Sequence, residues 1–246
     1  MKKQGFAVTL ALLVLLSMTA MASTGRYDQQ IQQTVSAKIR DAKQLQSVNS
    51  SVDDGIVTLT GTVGLYQDKL DAAKKVKKLA NVTGVRNDIV VAGENVPDSQ
   101  LQQKLAKKLA YDRVGYFDNA FNYITVDVKD GVATLSGYSY YDVPKDWALD
   151  TVARMPGVKD VVNDVTVLPV SQFDDSIRVR TARAIYHDSQ LGRYGTDPVD
   201  PIRIVVDKGH VTLYGTVESA MDKTIAGMRA NGVSGAFSVE NKLVVN

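Results

Sequence analysis

One ten-residue pattern occurs three times in this chain, and that repetition limits what it can fold into more than any other feature. Val52-Asp53-Asp54-Gly55-Ile56-Val57-Thr58-Leu59-Thr60-Gly61 returns as Val128-Lys129-Asp130-Gly131-Val132-Ala133-Thr134-Leu135-Ser136-Gly137 and again as Val206-Asp207-Lys208-Gly209-His210-Val211-Thr212-Leu213-Tyr214-Gly215. The register holds downstream: 20 residues past the second glycine stand Asn81, Gly157 and Gly235, and 26 past it stand Asn87, Asn163 and Asn241, each before a β-type apolar run. Fixed-period self-similarity of this kind signals repeated supersecondary units.

Each unit can be read physically. The first glycine of each copy sits between β-branched runs, where a tight hairpin turn needs a positive φ. The second glycine is expected to end the second strand and admit the chain to a helix, over residues 66–80, 143–156 and 218–231. Asn81, Gly157 and Gly235 suit a left-handed residue at or just beyond the helix end. Upstream, an acid stands three residues before an aliphatic, as Asp28 before Ile31, Asp98 before Leu101 and Asp174 before Ile177. Apolar residues then step by four, through Ile31, Val35, Ile39 and Leu101, Leu105, Leu109, with a weaker Ile177, Thr181, Ile185. This reads as a helical stripe opened by an acidic cap.

A last strand reached through a helix must run parallel to the second. The fold class is therefore α+β: three tandem small αββαβ two-layer sandwiches, each a three-stranded mixed sheet covered by two helices. The expected domains are 28–92, 98–168 and 174–246, with loops after the first helix that differ in length between copies.

The first 22 residues read as an address. Met1-Lys2-Lys3 is a positive n-region, Phe6 to Leu16 an apolar run of 11, and Ala20-Met21-Ala22 a small-x-small cleavage site, so export by a signal peptide is expected. The run is shorter than the roughly 20 residues a bilayer span needs. The whole chain carries 29 basic and 27 acidic residues, and removal of Lys2 and Lys3 brings the remainder to zero net charge. That balance gives no support for a nucleic-acid partner.

The chain has no cysteine, which excludes disulfides, thiolate metal sites, a thiol nucleophile and an N-terminal lipid anchor, so no lipoprotein is expected. Two histidines, His187 and His210, are too few for a multi-histidine metal centre, and no cofactor is expected. The nucleophile elbow, the zinc-protease motif, the phosphate loop and the dinucleotide glycine pattern are all missing, so no catalytic residue is assigned.

Three copies of V-x-x-G-x-V/A-T-L-x-G, each behind a striped helix and ahead of helix, turn and Asn-x-apolar strand, resemble the BON domain family across essentially the whole mature chain. That family takes its name from bacterial osmotically induced periplasmic and nodulation-related proteins. The resemblance implies a non-enzymatic periplasmic module that associates with phospholipid surfaces and supports envelope integrity under osmotic or envelope stress. It also maps the family glycines onto Gly55, Gly61, Gly131, Gly137, Gly209 and Gly215, which the hairpin and strand exit already require for structure.

Candidate contact residues come from chemistry. Nine of the 17 aromatics lie between Tyr111 and Trp147. Tyr116, Phe117 and Phe121 stand in the long loop of the second copy beside a helix bearing Lys104, Lys107 and Lys108. An aromatic loop next to a basic helix face suits an anionic membrane interface, although the same rings could fill a core or pack between copies. Lys74, Lys75, Lys77 and Lys78 on the second helix of copy one form a second basic face, which suits either solvent or acidic head groups. The expected partner is an anionic phospholipid surface engaged peripherally. The alternative is an envelope protein met by the aromatic face of the second copy, in an interaction or chaperone-like role.

Overall fold

The computed structural model describes residues 27–111, 119–197 and 201–246. The expected signal peptide, Tyr116 and Phe117 lie outside them. The chain divides into two compact units, the first ending at Glu94 and the second running from Asn95 to Asn246. The first unit contains one copy of the repeat and the second contains two.

In the first unit helix α1 covers residues 27–40, followed by a 3-10 turn at Lys43–Leu45, strands β1 (Val48–Asp53) and β2 (Ile56–Val63), helix α2 (Tyr66–Lys77) and a last strand in two pieces, β3 (Gly84–Asn87) and β4 (Val90–Val91). β1 pairs antiparallel with β2, and β3 and β4 both pair parallel with β2. Ile31, Val35 and Ile39 of α1 and Ala72 and Val76 of α2 meet Val57, Leu59 and Val63 of β2 in one core. Alternate residues of β2 face that core, as the two-residue period of a strand requires. Asn87 sets the break in the last strand: its amide donates to the Lys69 carbonyl of α2 at 2.7 Å and its side-chain oxygen accepts from Ile89 N–H. That turn sends Ile89 into the core, 1% exposed.

The second unit repeats the plan twice. Its first half has α3 (Asp98–Tyr111), a 3-10 turn at Asn119–Phe121, β5 (Tyr123–Lys129), β6 (Val132–Ser139), α4 (Asp142–Ala153) and β7 (Asp160–Val167), in sheet order β5-β6-β7. Its second half has α5 (Gln172–Tyr186), α6 (Gly192–Thr196), β8 (Arg203–Asp207), β9 (His210–Tyr214), β10 (Thr216–Val217), α7 (Ala220–Asn231), β11 (Ser238–Asn241) and β12 (Val244–Val245). Here β9 pairs antiparallel with β8 and parallel with β11, and β10 pairs parallel with β12. Each copy is thus an αββαβ sandwich with a mixed sheet. The stripe that looked weakest in sequence, Ile177, Thr181 and Ile185, is fully buried.

All three hairpins turn on two residues with positive φ: Asp54 and Gly55 at 49° and 75°, Asp130 and Gly131 at 54° and 79°, Lys208 and Gly209 at 50° and 79°. This is the two-residue turn whose twist matches that of the flanking strands. Asn81, Gly157 and Gly235 are also left-handed, at 65°, 96° and 91°.

Three features differ from the expectation. The second glycine does not end its strand in the first two copies. Gly61 and Gly137 lie inside β2 and β6 at φ near 108°, and a Cβ on either would stand 2.0 Å from the carbonyl oxygen of Ser47 or Tyr123. No side chain fits there. Next, the acid repeated in each copy clamps the hairpin turn. Asp28 accepts from the N–H groups of Asp54 and Gly55 at 3.0 and 2.9 Å, Asp98 from Asp130 and Gly131 at 2.7 and 2.9 Å, and Asp174 from Lys208 and Gly209 at 3.0 and 2.7 Å. In the third copy the cap is Ser171, whose hydroxyl accepts from Asp174 N–H. Finally, α6 stands where a structureless loop was expected, and it buries Tyr194.

Candidate functional site

α2 carries a run of exposed lysines. Ala72 and Val76, four apart, bury its inner side, and Lys74, Lys75, Lys77 and Lys78 fall on the exposed remainder. Asp68 in its first turn and the lysines in its last follow the helix dipole. None of these four lysines has an ion-pair partner among the described residues.

The other copies treat the matching positions differently. Thirteen and seventeen residues past the strand glycine, the first copy has Lys74 and Lys78 where the second has Asp150 and Arg154. Asp150 and Arg154 form a two-pronged ion pair at 2.8 Å. In the third copy Arg229 of α7 pairs with Asp188 at 2.8 Å. The first copy has replaced an attractive pair one helical turn apart with a like-charged one, which costs a helix a few tenths of a kcal/mol.

Four of the described aromatics of the second copy pack on the third. Phe121 packs against the third copy's core. Tyr123 stacks on Tyr214 with centroids 4.0 Å apart and planes 11° from parallel, and Tyr138 lies 6.2 Å from the same ring. Tyr140 sits beneath the Arg178 guanidinium, 4.5 Å from it. Arg178 is 1% exposed and donates to the Val206 carbonyl and to Asp175. Arg203 donates to the Asn122 carbonyl at 3.1 Å. Burial, with Tyr141 and Asp175 beside it, raises the Tyr140 hydroxyl well above its usual value.

Of the readings the sequence left open for these rings, packing between copies is the one that describes Phe121. Tyr116 and Phe117 lie outside the described residues. Lys104, Lys107 and Lys108 are exposed on α3, whose Leu101 and Leu105 face the core. Trp147 is half-buried in α4, and Tyr141 remains 42% exposed. Gly55, Gly131 and Gly209 sit in the hairpin turns, Gly61 and Gly137 inside strands, and Gly215 in the bend between β9 and β10.

A buried polar network in the third copy was not legible in sequence. Asp222, 2% exposed, accepts from Ser219 Oγ at 2.7 Å, Arg193 Nη2 at 2.8 Å and Tyr194 Oη at 3.1 Å. Tyr194 Oη in turn accepts from Glu218 N–H at 2.8 Å. Burial alone would raise the Asp222 pKa, but the hydrogen bonds from Ser219 and Tyr194 and the charge of Arg193 outweigh it and hold the carboxyl below its usual range. A depressed folded-state value means stability that is complete above the unfolded pKa of about 3.9 and is lost as pH falls through the folded one. Asp222→Asn should therefore lower the urea midpoint of the second unit at pH 7 and shrink the further drop between pH 6 and pH 3; an unchanged drop would contradict this role.

Among the described residues no group of three His, Asp or Glu side chains is placed to hold a metal ion. His210 Nδ1 lies 2.7 Å from Ser238 Oγ on the sheet surface, and His187 ends α5. No described helix is long and apolar enough to cross a membrane.

Comparison with known proteins supplies the remaining observations. The family model described as BON domain matches residues 27–93, 97–169 and 188–246. The third match begins beyond α5, although the Asp174 clamp gives that helix the same place as α1 and α3. Osmotically-inducible protein Y of Escherichia coli (strain K12) is 29% identical over 162 residues, 60% of this chain and 77% of that protein. Among solved structures, CdsD, a structural protein of the Type III secretion system of Chlamydia trachomatis, is 16% identical over 86% of this chain and 90% of its own, with a TM-score of 0.26. The periplasmic domain of the T3SS inner membrane protein PrgH from S. typhimurium is 9% identical over 83% and 95%, with a TM-score of 0.20.

Proposed function

The chain belongs to the BON domain family, and from that premise we propose that it is a non-catalytic periplasmic protein of the osmotic-stress response that adsorbs to anionic phospholipid surfaces through the basic face of α2. The observation that carries this reading is the contrast between copies. Lys74, Lys75, Lys77 and Lys78 stand exposed and without acidic partners, whereas Arg154 and Arg229 on the matching helices are neutralised by Asp150 and Asp188. Relationship to osmotically-inducible protein Y supports the stress role and the compartment.

Such adsorption needs no membrane span. Each near-surface lysine contributes about 1 kcal/mol of attraction to an anionic leaflet, falling off within a Debye length. The chain from Ser23 onward should co-sediment with vesicles containing phosphatidylglycerol, remain in the supernatant with pure phosphatidylcholine, and be released as salt rises from about 50 to 500 mM. Equal recovery on both vesicle types, or binding indifferent to salt, would contradict this mechanism. The alternative partner surface, the aromatic side of the second copy, is drawn on heavily by contacts with Tyr214 and Arg178.

A further inference from the structure

Beside the α2 face, the first unit has a shallow groove of about 640 Å3 lined by Lys38, Lys43, Lys75 and Lys78, with Ala42 and Leu79 at its apolar floor and Asp41 as its one acid. Three separate elements supply the cations: Lys38 comes from the end of α1, Lys43 from the 3-10 turn, Lys75 and Lys78 from the end of α2. All four are exposed, and none is in an ion pair among the described residues.

The helix dipole favours a cation at each of two helix ends. It does not account for four of them converging on one concavity with a single carboxylate. The other copies again provide the contrast. Ala184 takes the place of Lys38 in the third copy, Thr151 that of Lys75 in the second, and Gly232 that of Lys78 in the third. Lys108 and Arg154 keep two of these charges in the second copy and Arg229 keeps one in the third, so the three helix positions are basic together in the first copy.

We propose that this groove is a binding site for an anionic phosphate group, with Lys38 and Lys43 on one wall and Lys75 and Lys78 on the other. Ammonium groups on flexible stems suit phosphate oxygens as point charges. The open shape of the groove admits a phosphate that is part of a larger molecule. The chemistry is shared by an anionic lipid head group and by a soluble pyrophosphate-like anion. In the first case the inference rests on the adsorption reading above and turns a diffuse charged face into a specific head-group seat.

Two charge-matched variants of the chain from Ser23 onward separate these cases: K38Q/K43Q inside the groove, and K74Q/K77Q on α2 outside it. Both are measured for partition onto phosphatidylglycerol-containing vesicles and for chemical-shift changes on titration with inorganic pyrophosphate. The expected result is a loss of about 30-fold for K74Q/K77Q, at about 1 kcal/mol per near-surface lysine, and of about 100-fold or more for K38Q/K43Q, with pyrophosphate shifts centred on the groove. Equal losses with no localised pyrophosphate shifts would overturn the groove and leave the adsorption reading intact. Pyrophosphate binding that depends on Lys38 and Lys43, without vesicle binding, would support the groove as a soluble-phosphate site and overturn the adsorption reading. Absence of both would overturn both.

Discussion

Replacing Gly61 with alanine should destabilise the first unit by roughly 2–5 kcal/mol, from positive-φ strain of about 1–3 and a steric clash of similar size. The added Cβ would sit 2.0 Å from the Ser47 carbonyl oxygen at a backbone φ of 108°, so the strand has to move and the Val48–Gly61 pairing with it. A unit of this size has little more than that in total stability. The effect can be assigned to one unit because the chain's single tryptophan, Trp147, lies in the other. In urea, the far-UV dichroism of Gly61→Ala should acquire an early transition that the tryptophan fluorescence does not follow. Gly64→Ala, three residues on, where an added Cβ meets nothing within 4 Å, should fall within about 0.5 kcal/mol of the parent. Similar losses at the two positions would contradict the steric account.

Asp174→Ala is expected to have the second-largest effect, about 2–4 kcal/mol, because it strands two turn N–H groups in a nearly dry place. Gly209 and Gly55 are both buried, but Asp174 is 3% exposed where Asp28 is half-buried, so water reaches the Asp174 clamp less readily. Asp174→Asn retains one acceptor oxygen and should lose about half as much. Asp28 makes the same two bonds, but its Asp54–Gly55 turn opens onto a groove of about 310 Å3 that admits water. Asp28→Ala should consequently cost about 1 kcal/mol. Urea unfolding followed by dichroism gives the energies, and faster hydrogen exchange at the Lys208 and Gly209 amides locates the damage. Equal costs at Asp28 and Asp174 would show that burial does not set the strength of the clamp.

The parts of the fold that were legible in sequence are those governed by local chemistry. A glycine in a two-residue turn, a left-handed residue past a helix, a four-residue apolar step and a parallel return strand each follow from a few neighbouring residues, and three copies in register remove most coincidence. What was misread depends on distance along the chain. Asp28, Asp98 and Asp174 were visible as a repeated acid, but their partners lie 26 to 35 residues away across the sandwich. The nearer explanation, a helix cap, was the wrong one. The stretch that became α6 read only as part of a long loop; it is helical where Tyr194 and Leu191 enter the core and the Tyr194 hydroxyl meets Asp222.

The candidate site was legible in the same uneven way. The α2 lysines stood out because Ala72 and Val76 fix the buried side of a single helix. The aromatic excess of the second copy was equally plain, yet its destination was not. Tyr214, Arg178 and Arg203, which receive those rings and the Asn122 carbonyl, look ordinary within the third copy and acquire meaning only when the two copies meet. Lys38 and Lys43 drew no notice because the groove needs the end of α1 brought beside the end of α2.

The central claim is that one face of the first unit attaches this protein to anionic membranes. Its most direct test is vesicle partition of K74Q/K75Q/K77Q/K78Q against the charge-matched K104Q/K129Q/K159Q/K208Q, whose four lysines are exposed in the second unit. On phosphatidylglycerol-containing vesicles at low salt, the first variant should lose affinity by about 100-fold or more and the second by only a few-fold, given about 1 kcal/mol per near-surface lysine. Equal losses, or retention of binding by the α2 variant, would contradict the account.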